Sequence, residues 1–137
     1  MVDFSWGIGG KQKVNSSSWI LEKWKTNKTE RDWGYWRVLD DKGHVKVKEL
    51  VINPGQSLSD QRHFYRNEHW YILEGQVKID IQHNNAVRII TCKLNAHHSY
   101  IINQEDWHRA YNTTKAPCHI LEVQYGDNCI EEDIERR

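Results

Sequence analysis

The residues with the clearest chemical potential lie in a short stretch that is rich in histidine and acidic side chains. Gln61 and His63 are two positions apart, so on a strand they share one face. A carboxylate from Glu68 can approach from the next strand, and His108, far along the chain, can close the group. Such a mixed set of nitrogen and oxygen ligands suits Zn, Mn, Co, Ni or Fe better than thiolate-loving ions. We therefore predict a divalent metal on these four residues, with zinc as the first choice; the alternative is a structural polar cluster.

The remaining histidines and the cysteines show no comparable pattern. His97 and His98 are adjacent, so at most one of them can face inward on a strand. The other isolated histidines are expected on the surface or in satisfied core positions: His44, His83 and His119. The three cysteines have no CxxC spacing, and we expect reduced, partly buried thiols at Cys92, Cys118 and Cys129.

Short alternating segments must position these side chains. Segments 45–52 and 76–82 alternate between apolar and polar residues, and the turn signal Asn53-Pro54-Gly55 follows the first of them. Similar short strands are expected at 70–73, 86–94, 99–103 and 118–125. This spacing predicts an all-β antiparallel sandwich or barrel. Residues 1–28 differ in pattern and are predicted to form an N-terminal arm, and 131–137 a short helix.

Composition limits the class of protein. The 137 residues suit one domain, and the 19 basic and 19 acidic side chains give a formal net charge of +0. That balance argues against the basic surface needed to bind nucleic acid or an anionic membrane. No apolar run approaches the ~20 residues that span a bilayer, and we see no signal peptide. We expect a cytoplasmic protein with neither a nucleic-acid nor a membrane partner.

Two spaced patterns connect the segments. From Gly55 to Gly75 the chain reads G-x5-Q-x-H-x4-E-x6-G, which resembles the first cupin metal motif with Gln61 at the first histidine. The second cupin motif, G-x5-P-x-G-x2-H-x3-N, is matched in spacing from residue 97 to 112. Only its His108 and Asn112 are kept, because His97, Asn103 and Glu105 replace Gly, Pro and Gly.

The resemblance extends beyond the two metal motifs to a more specific family, through residues 30–40, 45–79, 107–112 and 121–137. Their blocks, among them Q-x-H-x-x-R-x-E-H-W and E-V-Q-x-G, resemble the type II mannose-6-phosphate isomerase domain. The resemblance implies a cupin double-stranded β-helix, or jelly-roll barrel, over 29–137 with the arm at 1–28. It also implies a metal-dependent isomerase for mannose 6-phosphate and fructose 6-phosphate that feeds sugar-nucleotide and polysaccharide synthesis.

The resemblance also suggests roles for individual residues. The predicted catalytic residues are Arg66, Glu68 and His69, and the predicted substrate-binding residues are Arg31, Arg66, Arg109 and Trp70. Guanidinium groups bind phosphate or an enediolate bidentately, which favours Arg66 for that contact. Trp33 and Trp107 are further candidates for stacking on a sugar ring, with core packing as the alternative.

Other functions stay open on the sequence. His63, Glu68 and His108 also fit the two-histidine, one-carboxylate triad of a non-haem iron oxygenase. A non-catalytic sugar-binding or sugar-phosphate-binding cupin is the other alternative. It is favoured by the changed second motif, and many family members carry His where this chain has Tyr65. The 137 residues are too few for a nucleotidyltransferase half, so we expect no guanylyltransferase activity from them. A homodimer is expected, with Trp6 or Trp19 suited to its interface.

Overall fold

The computed structural model describes residues 24–137, and this part consists of two antiparallel β-sheets. Alternating side chains explain the strands: in β6, Val77, Ile79 and Ile81 are buried, whereas Lys78 and Asp80 face outward. The strands are β1 (Thr29–Arg31), β2 (Gly34–Asp41), β3 (Val45–Ile52), β4 (Gln61–Arg62), β5 (Arg66–Glu74), β6 (Gln76–Gln82), β7 (Ile90–Asn95), β8 (Ser99–Ile102), β9 (Trp107–Tyr111), β10 (Cys118–Gly126) and β11 (Glu135–Arg136).

One sheet has the strand order β1-β2-β3-β10-β5-β8, and the other has the order β11-β4-β9-β6-β7. The apolar core lies between them and includes Ile52, Ile72, Ile79 and Ile120, each with no exposed surface. The all-β prediction is confirmed. Within residues 24–137 no helix occurs that is long and apolar enough to cross a membrane.

The turns at the glycine positions of both motifs have the positive φ values that glycine favours. Gly55 and Gly75 have φ values of 76° and 89°, and His97 and Glu105, which replace the glycines of the second motif, have values of 74° and 69°. The left-handed region is unfavourable for residues with a Cβ atom, so local hydrogen bonds must hold these two turns. The two residues that replace glycine in the second motif therefore adopt a backbone conformation that favours glycine.

Hydrogen bonds at both replaced positions supply that support. The Glu105 backbone N–H donates to the His63 carbonyl at 2.7 Å, and the His97 N–H donates to the Ile72 carbonyl at 2.7 Å. The side chains take part as well, since the Asn84 amide donates to Glu105 Oε1 at 3.1 Å. The turn before His108 is thereby tied to the loop that carries His63.

The predicted C-terminal helix is wrong. Residues 130–137, here called the C-terminal tail, run as turns and end in β11, which pairs with β4. Their polar groups bind distant parts of the chain instead of forming local helical bonds: Glu131 contacts Lys48 at 2.9 Å, and the Asp133 carboxylate accepts the N–H groups of Phe64 and Tyr65, each at 2.9 Å.

The other end of the described chain is held on the outer face of the first sheet. Arg37 donates to the carbonyls of Trp24, at 2.6 Å, and Thr26, at 3.3 Å, and pairs with Glu49 at 2.8 Å. The arm at 1–28 remains a prediction, because residues 1–23, with Trp6 and Trp19, lie outside the described residues. The three cysteines are free thiols, as predicted.

Candidate metal centre

Three of the four predicted ligands meet in the interior. His63 follows β4, Glu68 lies in β5 and His108 lies in β9, and each is at most 3% exposed. Glu68 lies between the two rings: its Oε2 is 3.2 Å from His63 Nε2, and its Oε1 is 3.6 Å from His108 Nε2. One ligand atom from each residue lies within 4.8 Å of the others.

Backbone carbonyls orient both imidazole rings. His63 Nδ1 donates to the Asp133 carbonyl at 2.7 Å, and His108 Nδ1 donates to the Asp106 carbonyl at 3.0 Å. Each ring therefore turns the Nε2 lone pair toward Glu68, and carbonyl partners of this kind orient metal-binding histidines. The buried His108 Nε2 has no hydrogen-bond partner among residues 24–137. A lone pair left free in this way, beside a carboxylate, fits a bound cation.

Gln61, the fourth predicted ligand, lies at the edge of this group. Its backbone pairs with His108 across β4 and β9, and its side chain lines the cavity that His63 and Glu68 also line. Gln61 Oε1 accepts a hydrogen bond from Ser59 at 3.1 Å. Coordination by Gln61 stays a prediction.

Burial and neighbouring charges set the protonation of the ligands. Burial lowers the pKa of His63, which keeps this ring neutral and able to bind metal. Burial also disfavours a charged His108, but the Glu68 carboxylate, with Oε1 3.6 Å from Nε2, outweighs that effect and raises the pKa. Burial opposes ionisation of Glu68, yet its contacts with His63, His108 and Arg66 hold its pKa well below the usual range. The centre thus keeps a carboxylate between two imidazoles.

Arg66 lies directly against the centre. Its Nε and Nη2 donate to Glu68 Oε2 at 3.1 and 3.0 Å, and its Nη1 donates to the Ile130 carbonyl at 3.0 Å. The guanidinium is 5% exposed and lines the cavity, so the fold brings this predicted residue to the site. Its charge balances the buried Glu68 carboxylate.

A cavity of about 280 Å³ opens above the centre. His63, Glu68 and Arg66 form its buried floor, and residues of both sheets form its walls. Its charged and aromatic lining includes Arg31, Lys48, Glu122, Glu131, Arg136, Trp33, Trp36 and Trp70. The predicted residues Arg31 and Trp33 therefore reach the cavity.

Three predicted residues do not present a side chain to the open cavity. His69 is exposed on the opposite face of β5, because adjacent strand residues alternate. Arg109 faces outward from β9 and pairs with Asp80 at 3.2 Å. Trp107 lies outside as well, with the guanidinium of Arg137 4.3 Å from its ring centroid.

Trp70 supports the centre from within the core. It has no exposed surface, and its Nε1 donates to Glu68 Oε1 at 3.2 Å and to Glu122 Oε2 at 3.0 Å. A fully buried indole is not available to stack on a ligand. Its observed contacts are those of a residue that positions two carboxyl groups.

Four residues in or beside the cavity were not predicted from the sequence: Glu122, Gln124, Asp133 and Arg136. The first two were detectable: they are two apart in β10, which places polar groups on the inward face of a core strand, where apolar residues are usual. Gln124 Nε2 donates to Glu122 Oε1 at 2.9 Å. The buried Gln124 Oε1 has no hydrogen-bond partner among the described residues and is free to accept one from a ligand.

Glu122 has the character of a buried acid. Burial and repulsion from Glu68 raise its pKa to about 7. Of the carboxyl groups that line the cavity, Glu68 is paired with Arg66 and Glu131 with Lys48, whereas Glu122 forms no ion pair with any residue of 24–137. It is thus the cavity carboxyl that exchanges a proton near neutral pH.

This raised pKa predicts a pH-dependent effect of Glu122→Gln on stability in the metal-free protein. Between the ordinary pKa of 4.5 and about 7, the folded state holds a proton that the unfolded state has lost. Stability of the wild type therefore falls as pH rises through this window, by about 1.4 kcal/mol per pH unit, and the loss ends above pH 7. Glutamine does not ionise, so the variant lacks this pH-dependent loss. Its free energy of unfolding, relative to that of the wild type, should therefore increase from pH 5 to 7.

Denaturant unfolding at pH 5, 6, 7 and 8 measures that difference. Glu131→Gln is the matched control: burial opposes ionisation of Glu131, but Lys48 outweighs it and lowers the pKa. The stability that Glu131 contributes is present above its ordinary pKa of 4.5 and is lost only as pH falls below it, so this variant should show no widening from pH 5 to 7. A constant difference for Glu122→Gln over that range would contradict the assignment.

Comparison with known proteins identifies the family and the fold of the chain. Residues 21–137 match the sequence profile of the family described as "Mannose-6-phosphate isomerase C-terminal". The chain is 36% identical over 106 residues to alginate biosynthesis protein AlgA of Pseudomonas putida, which covers 77% of this chain and 21% of that protein. It is 31% identical over 107 residues to mannose-1-phosphate guanylyltransferase 2 of Escherichia coli O157:H7, covering 78% and 21%. The chain spans about a fifth of the length of these relatives.

Solved structures confirm the predicted cupin jelly-roll fold. CapF, a capsular polysaccharide assembling protein from Staphylococcus aureus, superposes with a TM-score of 0.72 at 15% identity, covering 82% of this chain and 34% of that one. Oxalate decarboxylase of Lactobacillus farciminis superposes with a TM-score of 0.70 at 20% identity, covering 81% and 33%.

Proposed function

The chain belongs to the mannose-6-phosphate isomerase C-terminal family, and from this premise we propose that it interconverts mannose 6-phosphate and fructose 6-phosphate with a divalent metal. The observation that carries the proposal is the buried group of His63, Glu68 and His108, of which His63 and Glu68 line a cavity that a second carboxyl, Glu122, also lines. Isomerisation requires an electrophile for the sugar oxygens and a group that moves a proton between neighbouring carbons.

The floor of the cavity would hold the metal. The three residues His63, Glu68 and His108 supply ligand atoms, and Gln61 is the candidate fourth ligand. A divalent cation bound there would supply Lewis acidity toward the oxygens of the open-chain sugar. Zinc remains the first choice among Zn, Mn, Co, Ni and Fe.

Glu122 replaces His69 as the candidate for proton transfer. Its carboxyl is held by Trp70 and Gln124 and lines the cavity, whereas His69 is exposed on the outer face. In this proposal Glu122 takes the proton from C2 of the aldose and returns it to C1, while the proton of the C2 hydroxyl passes to the C1 oxygen. The reverse reaction uses the same group. A carboxyl that ionises near the working pH is efficient in both directions.

Arg66 and Gln124 would contact the sugar oxygens. Arg66 is fixed by Glu68 and the Ile130 carbonyl, and its Nη2 also lies 3.4 Å from His63 Nε2, so the guanidinium is oriented without further loss of freedom. Gln124 Oε1 is positioned to accept a hydrogen bond from a sugar hydroxyl. The indoles of Trp33 and Trp36 add apolar wall for the ring or chain of the sugar.

Isomerase assays on purified protein loaded with Zn, Co or Mn test the proposal. We expect turnover of mannose 6-phosphate that a chelator removes and added metal restores. Sugar-phosphate binding without turnover in every metal would instead support a non-catalytic cupin. Oxygen uptake with bound iron would support an oxygenase. Supply of polysaccharide synthesis, a cytoplasmic location and a homodimer stay predictions.

A further inference from the structure

Two arginines at the mouth of the cavity carry charges that no described acidic residue balances. Arg31 and Arg136 are exposed and line the cavity. Among residues 24–137, the hydrogen bonds of their guanidinium groups go to neutral oxygens: Arg31 to the Glu30 carbonyl at 3.0 Å, and Arg136 to the Ser59 hydroxyl at 3.3 Å. Both cations are therefore available for an anionic ligand.

Nearby cations differ in this respect. Arg66 is paired with Glu68 at 3.0 Å, Lys48 with Glu131 at 2.9 Å, and Arg137, the next residue after Arg136, with Asp60 at 2.8 Å. Arg137, which is exposed like Arg136, thus satisfies part of its donor set with a carboxylate. The mouth of the cavity is where the described fold leaves two guanidinium groups without one.

The topology brings these two residues together from distant parts of the chain. Arg31 ends β1, an edge strand of the six-stranded sheet, and Arg136 lies in β11, an edge strand of the five-stranded sheet. Backbone pairing of Arg136 with Gln61 fixes its place beside the candidate metal ligand. The mouth is thus built by one edge of each sheet.

We infer that Arg31 and Arg136 form the binding site for the phosphate group of the ligand, with the sugar carbons extending toward the floor of the cavity. The inference rests on the proposed function for the sugar end. A phosphate monoester carries the charge and the acceptor oxygens that guanidinium groups bind bidentately. The buried floor and the cationic mouth together suit a ligand with a polyhydroxyl end and a distal phosphate, and they assign to Arg136 a binding role alongside Arg31.

Measurements of ligand affinity test this phosphate-binding site independently of catalysis. Mannose 6-phosphate, inorganic phosphate and unphosphorylated mannose are titrated calorimetrically into metal-loaded wild type, Arg31→Ala and Arg136→Ala. Each substitution is expected to weaken binding of mannose 6-phosphate by roughly 10- to 100-fold, the range of a charged hydrogen bond, and to leave mannose binding unchanged. In the assay, KM should rise much more than kcat falls. Arg137→Ala, altered at the adjacent and outward-facing position, should match the wild type.

The outcomes distinguish failure of the proposed phosphate-binding site from failure of the proposed isomerase activity. If both variants lose binding and the wild type shows no turnover, the phosphate-binding site is supported and the isomerase proposal is wrong. If the wild type shows turnover and both variants keep its KM and its affinity for mannose 6-phosphate, the phosphate-binding site is wrong and the isomerase proposal stands. Circular dichroism and metal content check folding, and Arg31→Ala gives a reading that does not alter the C-terminal tail.

Discussion

His63→Ala and His108→Ala are expected to lose metal, with affinity falling by more than about 100-fold, while His44→Ala and His69→Ala keep it. Loss of a direct ligand costs more than the 10- to 100-fold typical of residues that merely orient ligands. His63 and His108 turn their Nε2 atoms toward Glu68, whereas His44 lies in an exposed turn and His69 on the outer face of β5. Metal content after dialysis, followed by titration with zinc, measures the difference.

His69→Ala is the sharper control because it alters the residue next to Glu68 in the same strand. Any general weakening of β5 would affect His69→Ala as well, so a selective loss in the other two variants reports on ligation. Equal metal content in all four variants, or a wild type that binds no metal, would overturn the ligand assignment. Circular dichroism of the metal-free proteins shows whether each variant keeps its fold.

Arg66→Lys is expected to reduce kcat by about 100- to 1,000-fold, the range seen when one oriented donor to a developing negative charge is removed. Lysine keeps the charge but cannot reproduce the planar set of bonds to Glu68 and the Ile130 carbonyl. The loss should appear mainly in kcat, because the contact is proposed to strengthen as the enediolate forms. Steady-state kinetics at saturating metal test this.

Arg109→Lys provides the comparison for Arg66→Lys. Its guanidinium pairs with Asp80 outside the cavity, so we expect unchanged kcat and KM. If Arg66→Lys also keeps full turnover with normal metal content, the role proposed for Arg66 is wrong while the isomerase assignment stands. Reduced activity in Arg109→Lys would mean that its sequence-based prediction as a substrate residue was correct.

Local periodicity made much of the fold predictable, and its limits are physical. The alternation in 76–82 indicated a strand, and the i, i+2 spacing of Gln61 and His63 indicated a shared site, because both follow from strand geometry within one segment. The same geometry excludes His69 from the site, since it neighbours the inward-facing Glu68. An acidic and basic tail looks helical when only its local composition is considered.

The roles of Asp133 and Arg136 depend on contacts that local pattern does not contain. Asp133 binds the loop after β4 across some seventy positions of sequence, and β11 pairs with β4 over a similar separation. The turns at His97 and Glu105 show the same limit: their φ values match those of Gly55 and Gly75, although the residue types predict otherwise. Tertiary hydrogen bonds there outweigh local preference.

The contacts of the C-terminal tail have a consequence for biosynthesis. Residues 130–136 carry the carbonyl that orients His63 and the one that holds Arg66, and they are synthesised after β1 to β10. Those ten strands can pair while His63 still lacks the carbonyl that orients it and Arg66, already paired with Glu68, lacks the Ile130 carbonyl. Metal loading is therefore expected to follow closure of the two sheets rather than to drive it.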